Sequence, residues 1–393
     1  MNEVLQMNTP KKILILTCSH GSGHKMVANT LSRSFQERGA VVRICDLFDE
    51  VNHPVNQAAG KAYLLSYSGI GKASYKKMYD HVDSCPDSKA MHRFWALTRK
   101  TLLRVLEEVR PDCIVNVYPY TVSAMLKSAH YPDIPVFSVV TDFCMPSPWM
   151  HPDTDKYYVA CTNVTRQLLT MGVPHSKILE TGIPIRDAFY KATSRRAVQK
   201  KYHLDPGRKT LMLFAGTYGV LKNMEEICQA LDALPGLQTI VITGKNQKLH
   251  KKLDRLSLAN TQISGFIPDI HELYRTADML ITKPGGISLS EVIAAGIPLI
   301  LYQPTPGQEG GNAAWFKERG AAIVTQNQTE LLVAVKALKG NEIQQYSMKN
   351  ALKAMNYGHS ASLITDDILS LLETRYPLLD ELSDLPPEKI NEE

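Results

Sequence analysis

Short apolar, β-branched runs recur along the chain and fall into two series. The first comprises Ile13-Leu-Ile-Leu-Thr, Val41-Val-Arg-Ile-Cys, Asp112-Cys-Ile-Val-Asn-Val, Val136-Phe-Ser-Val-Val-Thr, Lys156-Tyr-Tyr-Val-Ala and Ile178-Leu-Glu-Thr. The second comprises Thr210-Leu-Met-Leu-Phe-Ala, Leu237-Gln-Thr-Ile-Val-Ile-Thr, Thr261-Gln-Ile-Ser, Met279-Leu-Ile-Thr, Pro298-Leu-Ile-Leu-Tyr and Ala322-Ile-Val. Runs this short, with little polar alternation, are what strands buried on both faces of a parallel sheet require. Segments with helical spacing separate several of them. The alternation predicts an α/β protein with two doubly wound, Rossmann-like domains facing across a cleft. The polar stretch from Pro184-Ile-Arg186 through Lys191-Ala-Thr-Ser-Arg-Arg reads as the linker between an N-terminal domain at 11–188 and a C-terminal domain at 197–356. Residues 357–376 predict a last helix, and 377–393, rich in Asp, Glu, Pro and Lys, a disordered tail.

The 393 residues suffice for two domains with full cores. There is no run of ~18 apolar residues, hence no predicted membrane span, and no basic-apolar-cleavage pattern of a signal peptide. Seven cysteines, at 18, 45, 85, 113, 144, 161 and 228, show neither C-x-x-C nor His/Cys spacing. That scatter implies reduced thiols in a cytoplasmic protein rather than disulfides or zinc ligands. The net charge of +5 is modest, and its distribution matters more than its sum.

Candidate chemistry concentrates between Lys283 and Asn312. A strand at 279–282, a Gly-Gly turn, a helix from about 288 to 295 and a strand at 299–302 account for its first part. Gly296 suits the left-handed residue that ends a helix, and Pro298 discourages continuation. In a parallel α/β sheet, ligands sit beyond the carboxyl ends of strands, where both polar loops of this segment fall. Gly285 and Gly286 let backbone N–H groups approach an anion at a helix N-terminus, a diphosphate site. Glu291, one turn in, is wrong for phosphate but suits the two hydroxyls of a ribose. Ser288-Leu-Ser-Glu291 is equally the S-x-x-E of a capping box, in which Glu291 only closes its own helix. Pro306-Gly-Gln-Glu-Gly-Gly-Asn312 reads as a loop after a buried strand, where its residues offer nothing to a core. Gln308 and Glu309 there form a polar pair suited to a hexose. Diphosphate, ribose and hexose together describe a nucleotide sugar.

With Lys-Ile-Leu-Ile-Leu-Thr near the N-terminus, Gly21-Ser-Gly-His24, Val140-Thr-Asp-Phe143, Thr181-Gly-Ile-Pro-Ile-Arg186 and Gly307-Gln-Glu-Gly-Gly-Asn312, the chain resembles the family 28 glycosyltransferases of the GT-B fold. The likeness runs from about residue 11 to 370 and is strongest to the diacylglycerol branch, the processive diacylglycerol β-glucosyltransferases and monogalactosyldiacylglycerol synthases. It implies inverting transfer of a hexose, glucose or galactose, from a UDP-sugar to a lipid acceptor, diacylglycerol in that branch. It also implies that Gly216 and Thr217 belong to a glycine-rich loop near the diphosphate, and that Ile267 holds uracil through its backbone. The last helix would cross back to the N-terminal domain. Two loops that border the acceptor depart from the branch, at Cys-Ser-His before Gly21 and at Cys-Met-Pro-Ser-Pro after Asp142. Another lipid or a soluble acceptor therefore stays open.

The first strand runs into Cys18-Ser-His-Gly-Ser-Gly-His24-Lys. This is not a dinucleotide fingerprint, because position 26 is Met and no acid follows convincingly ~20 residues on. The turn instead presents His24 at the cleft, and Gly23 joins the donor-binding glycines. Imidazole titrates in the range needed to take a proton from an acceptor hydroxyl. The family's proposed base also lies in this loop, which implies that role for His24. His20 competes for it, and helix capping or phosphate contact is the plainer alternative. Asp142 has three readings: placing the acceptor, holding the His24 tautomer, or capping the next turn. Arg186 and Lys245 are loop cations with two readings, contact with phosphate or, more simply, ordinary solvated charge. No D-x-D stands between apolar strands, since Asp153-Thr-Asp155 follows His-Pro in a loop. The fold family meets the leaving diphosphate with helix N-termini and cations, so no metal, and no cofactor apart from the UDP-sugar substrate, is expected.

Residues 61–104 carry nine Lys/Arg against three Asp, a bias of +6, interleaved with Tyr63, Tyr67, Tyr75, Tyr79, Phe94 and Trp95. Basic residues attract anionic headgroups at ~1 kcal/mol each near a surface, and aromatic rings suit the interface. The stretch reads as a docking surface for an anionic membrane, placing the protein peripherally on the inner face of the cell membrane. A solvated helical hairpin is the alternative, and no nucleic-acid-binding motif accompanies the charge. A nucleotide-sugar-sensing regulator would need Glu291 and Gln308 but no base, so His24 beside the donor loop favours an enzyme.

Overall fold

The computed structural model describes residues 9–18, 23–51, 89–145, 147–215 and 223–375. Each series of apolar runs forms one six-stranded sheet. In the first, β1 (Lys12–Thr17), β2 (Val41–Asp46), β3 (Cys113–Asn116), β4 (Val136–Val139), β5 (Lys156–Val159) and β6 (Ile178–Glu180) take the order β2-β1-β3-β4-β5-β6. In the second, β7 (Lys209–Phe214), β8 (Leu237–Ile242), β9 (Thr261–Ser264), β10 (Met279–Thr282), β11 (Leu299–Tyr302) and β12 (Ile323–Thr325) take the order β12-β11-β10-β7-β8-β9. Every pairing is parallel. Helices between strands cover the faces, so β3, β4, β8, β10 and β11 are buried along their whole length. That double burial is why these runs lack polar alternation; each enclosed Leu, Ile or Val contributes about 1.5–3 kcal/mol.

Both strand orders reverse at the first strand of their sheet, which places the functional loops. The chain leaves β1 for β2 on one side and returns to β3 on the other, as it leaves β7 for β8 and β9 before returning to β10. A crevice opens beyond the carboxyl ends of strands at each such switch point. His24 follows β1, Val117 follows β3, and the Lys283–Gly286 turn follows β10.

The last helix, Ser360–Arg375, lies against the first sheet's layer although it follows the second sheet in sequence. Thr365 shares a hydroxyl contact of 2.9 Å with Ser34, and Asp366 takes Arg38 at 2.5 Å. Asp367 receives Lys156 Nζ at 2.7 Å and the Tyr158 hydroxyl at 2.6 Å. The Ser34–Thr365 contact is buried and the Arg38–Asp366 pair is exposed, so the helix is held in register from its core side to its rim as well as packed.

The polar stretch read as a linker is more structured than its composition suggests. A single 3-10 turn, Asp187–Tyr190, buries Phe189 against Tyr274, and a helix, Arg195–Lys201, starts at a Ser194 cap. Arg195 then pairs with Asp278 at 3.0 Å. That partner lies 83 residues further along the chain.

Candidate active site

On the second domain, the turn after β10 leads into a helix, Gly286–Ala295, capped at its start by Gly285 and ended by Gly296 at φ 64°. The helix begins earlier than the expected position 288. Ser288 and Glu291 therefore lie inside it, and the capping box does not form. Glu291 instead is 6% exposed and accepts the Tyr274 hydroxyl at 3.1 Å. Burial pushes its carboxyl up to about 7, while the Arg186 charge and the Tyr274 hydrogen bond pull it down. Arg186 is not the solvated cation expected: its guanidinium lies over the Phe189 ring and donates to the Pro268 carbonyl at 3.0 Å.

The two glycines at this turn have different reasons to be glycine. A side-chain carbon on Gly285 would meet nothing within 4 Å. One on Gly286 would lie 2.0 Å from the Thr141 carbonyl oxygen of the first domain. Gly286 is thus a close-approach residue between domains as well as the first residue of a helix whose N–H groups suit an anion.

The expected loop at 306–312 is a correction: Gln308–Glu318 is a helix, entered through Gly307 at φ 94°. The glycines at 310 and 311 hid it, since glycine disfavours helix interiors. Gly311 has a packing reason, because a side-chain carbon there would stand 2.6 Å from Cys144 Sγ. Glu309 Oε2 accepts from the Thr305 backbone at 2.7 Å and hydroxyl at 2.5 Å, with Lys283 at 3.4 Å. Gln308 Nε2 donates to Asp142 Oδ2 at 3.1 Å. Asn312, fully buried one turn later, donates to Asp142 Oδ1 at 2.9 Å and to the Pro284 carbonyl at 3.0 Å. Its own oxygen accepts the Phe143 N–H at 2.8 Å.

On the first domain, His24 is the second residue of a helix, Gly23–Gln36. Its Nδ1 lies 2.8 Å from the Val117 carbonyl, 3.3 Å from the Thr141 hydroxyl, and its ring meets Tyr118 edge-on at 5.2 Å. A carbonyl only accepts, so Nδ1 carries the proton of the neutral ring and Nε2 is its basic nitrogen. The tautomer is set by Val117, not by Asp142, whose two oxygens are taken up by Gln308 and Asn312. Burial pushes the Asp142 carboxyl up to about 7, with the Asn312 amide opposing the shift and the Glu309 charge adding to it. A side-chain carbon on Gly23 would touch Ile287 Cγ1 at 3.2 Å, so the starts of the His24 helix and the Gly286 helix meet at the domain seam.

Ile267 is half-buried beside an exposed Phe266, and Lys245 is exposed. Gly216, Thr217 and His20 lie outside the described residues, as do residues 61–88 of the basic stretch; 89–104 fall in a helix, Lys89–Val109. Among the described residues, Arg104 of that stretch is paired with Glu50 and Glu108. No described helix is long and apolar enough to cross a membrane. Among the described residues, no three His, Cys, Asp or Glu cluster as a metal site, and Cys18, Cys45, Cys113, Cys144, Cys161 and Cys228 are free thiols. Sequence reasoning missed Asn312, Thr141, Val117 and Tyr274. Only Asn312 left a local signal, its i+4 spacing from Gln308 on one helix face.

Two parallel sheets with their switch points brought together at one seam define the GT-B fold. Acinetobacter baumannii MurG superposes with a TM-score of 0.62 at 16% identity, covering 92% of this chain and 100% of that one. A Staphylococcus aureus MnaA–UDP complex gives 0.60 at 15% identity, covering 94% and 97%. The model for monogalactosyldiacylglycerol (MGDG) synthase matches residues 24–185, and that for group 1 glycosyl transferases matches 195–355. The processive diacylglycerol beta-glucosyltransferase of Bacillus cereus (strain G9842) is 39% identical over 365 residues, 91% of this chain and 93% of the relative. That of Bacillus subtilis (strain 168) is 39% identical over 367 residues, 92% and 96%. The chain belongs to the family of the processive diacylglycerol beta-glucosyltransferases.

Proposed function

We propose that the protein is an inverting glycosyltransferase that moves a hexose, glucose by its family, from a UDP-sugar to diacylglycerol. The observation that carries this reading is His24: a histidine whose Nδ1 proton is committed to a carbonyl, on a helix whose start touches the donor-side helix. His24 Nε2 takes the proton of the acceptor hydroxyl as its oxygen attacks the anomeric carbon. The bond from that carbon to the diphosphate breaks on the opposite face, so configuration inverts. The departing charge falls on the N-terminal turn of the Gly286 helix, with Gly23 at the facing helix start, and Gly216 and Thr217, by the family resemblance, also serve the diphosphate. No resident metal takes part in this scheme.

Glu291, once ionised, accepts the ribose hydroxyls, and the Ile267 backbone holds uracil. Gln308 and Glu309 meet the hexose. The basic, aromatic stretch at 61–104 docks the protein on anionic lipid at the inner face of the cell membrane, where the acceptor resides. His24→Ala tests the core of the reading: UDP binding by calorimetry stays near normal, while turnover falls by about 100-fold or more. Turnover near that of the unaltered protein would remove His24 from the role of base.

A further inference from the structure

Asp142 is the first domain's side-chain contribution to a hydrogen-bond network at the seam, to which Phe143 adds only its N–H and the second domain the remaining side chains. Its carboxylate is almost fully enclosed, and each oxygen has a separate amide partner: Asn312 Nδ2 on Oδ1 and Gln308 Nε2 on Oδ2. The two amides differ in freedom. Asn312 cannot turn over, because its oxygen accepts the Phe143 N–H and its nitrogen also serves the Pro284 carbonyl. A flip would set donor against donor and acceptor against acceptor at both. Gln308 has no such second anchor on its side-chain amide among the described residues; only its backbone carbonyl is held, by Cys144 Sγ at 3.5 Å. Its orientation therefore follows from Asp142 alone. Above the value of about 7 to which burial raises this carboxyl, it is ionised and only accepts, so it draws the NH2 group toward itself and leaves the amide oxygen on the other side.

We propose that Asp142 is a positioning residue for the donor: it turns Gln308 so that Oε1, an acceptor, faces the hexose and receives a sugar hydroxyl. The hexose site is then complete only when both domains are in contact, since the residue that orients its glutamine belongs to the opposite domain. This inference rests on the assignment of Gln308 to the hexose.

The isosteric variant Asp142→Asn makes a sharp test. The amide it introduces has one acceptor and one donor, and the locked Asn312 claims the acceptor. The remaining NH2 group confronts Gln308, which turns over and presents its own NH2 group to the sugar. The same atoms are in place with inverted polarity. Placing Gln308→Glu in that background restores an acceptor on both sides of position 308, one for the new amide at position 142 and one for the hexose. Gln308→Glu alone sets two carboxylates against each other.

Calorimetry with UDP and with UDP-glucose separates the outcomes, because UDP lacks the sugar and its affinity reports an intact donor domain. UDP affinity is expected to stay within about twofold in Asp142→Asn and in the double variant. The gain in affinity from UDP to UDP-glucose is expected to fall about tenfold in Asp142→Asn, the scale of one hydrogen bond replaced by a mismatch, and to return in the double variant. Gln308→Ala sets the floor. If Gln308→Ala keeps the full gain, Gln308 does not meet the hexose and the underlying reading fails. If Gln308→Ala loses the gain but Asp142→Asn keeps it, or the double variant does not recover it, the role given to Asp142 is overturned.

Discussion

Replacing Gly286 by alanine sets two effects of opposite sign against each other. Within its own helix the change is favourable, since glycine costs roughly 0.5–1 kcal/mol relative to alanine. Across the seam it is not. The new carbon would lie 2.0 Å from the Thr141 carbonyl oxygen, 3.0 Å from its carbon and 3.2 Å from Ile183 Cδ1. Carbon and oxygen approach no closer than ~3.3 Å even in a favourable contact, so one domain must retreat by roughly 1.3 Å. The two nearest atoms, both of Thr141, are backbone and cannot rotate away. Inserting a methyl group into such a fit costs ~1–3 kcal/mol. A retreat of that size also strains the Asn312 contacts to Asp142 at 2.9 Å and to Phe143 at 2.8 Å. If catalysis needs this contact, ~1–3 kcal/mol reduces the competent population about 5- to 150-fold. Gly285→Ala is the control, because its added carbon meets nothing within 4 Å and its φ of −77° suits any residue. The assay is kcat/KM with UDP-glucose and diacylglycerol in mixed micelles, with thermal melts to confirm folding. A Gly286→Ala protein as active as Gly285→Ala would refute the argument, and would mean that the domains react without closing on Thr141.

Glu291 gives a pH-dependent prediction. Its carboxyl is raised to about 7 in the unliganded protein, and ribose hydroxyls need the ionised form, so UDP binding releases a proton. UDP affinity should therefore rise between pH 6 and 8 in the unaltered protein and lose that slope in Glu291→Gln; parallel pH profiles would count against the ribose assignment. The same shift acts on stability: from the ordinary 4.5 to about 7, the folded state holds a proton that the unfolded state has lost, so stability falls as pH rises across that window. At pH 8, Glu291→Gln should be more stable than the unaltered protein, by up to ~3 kcal/mol at about 1.36 kcal/mol per unit, and melt higher; a lower melting point would show that the carboxylate is stabilised by partners beyond Arg186 and Tyr274. For the basic stretch, sedimentation should show binding to anionic but scarcely to zwitterionic vesicles. That binding should weaken as salt cuts the screening length from ~10 Å at 0.1 M to ~3 Å at 1 M. Replacing Lys72, Lys76 and Lys77 by Glu should remove most of it, whereas binding indifferent to lipid charge would assign the stretch to a solvated hairpin.

What the sequence determined by itself is whatever burial writes locally. A strand covered on both faces must be apolar at consecutive positions, so the runs at 13–17, 113–117 and 279–282 announce parallel strands without any knowledge of their neighbours. Helix ends are local too: Gly296 takes φ 64° because the chain must turn out of a helix there. The segment that holds Glu291 and Gln308, and the separate one that holds His24, were picked out for the same reason, since polar residues follow directly on the carboxyl ends of buried strands. What each polar group bonds to was not legible. Asp142 finds its partners 166 and 170 residues away, His24 finds Val117 93 residues away, and no spacing in a single chain encodes such pairs. Composition also cannot say which glycine is open and which is occupied: Gly285 and Gly286 are identical neighbours, and only the packing of one domain on the other puts a carbonyl oxygen where the second would carry a side chain. The local pattern decides which segments become strands and helices, whereas the partner of a buried polar group is decided by which surfaces the folded domains bring into contact.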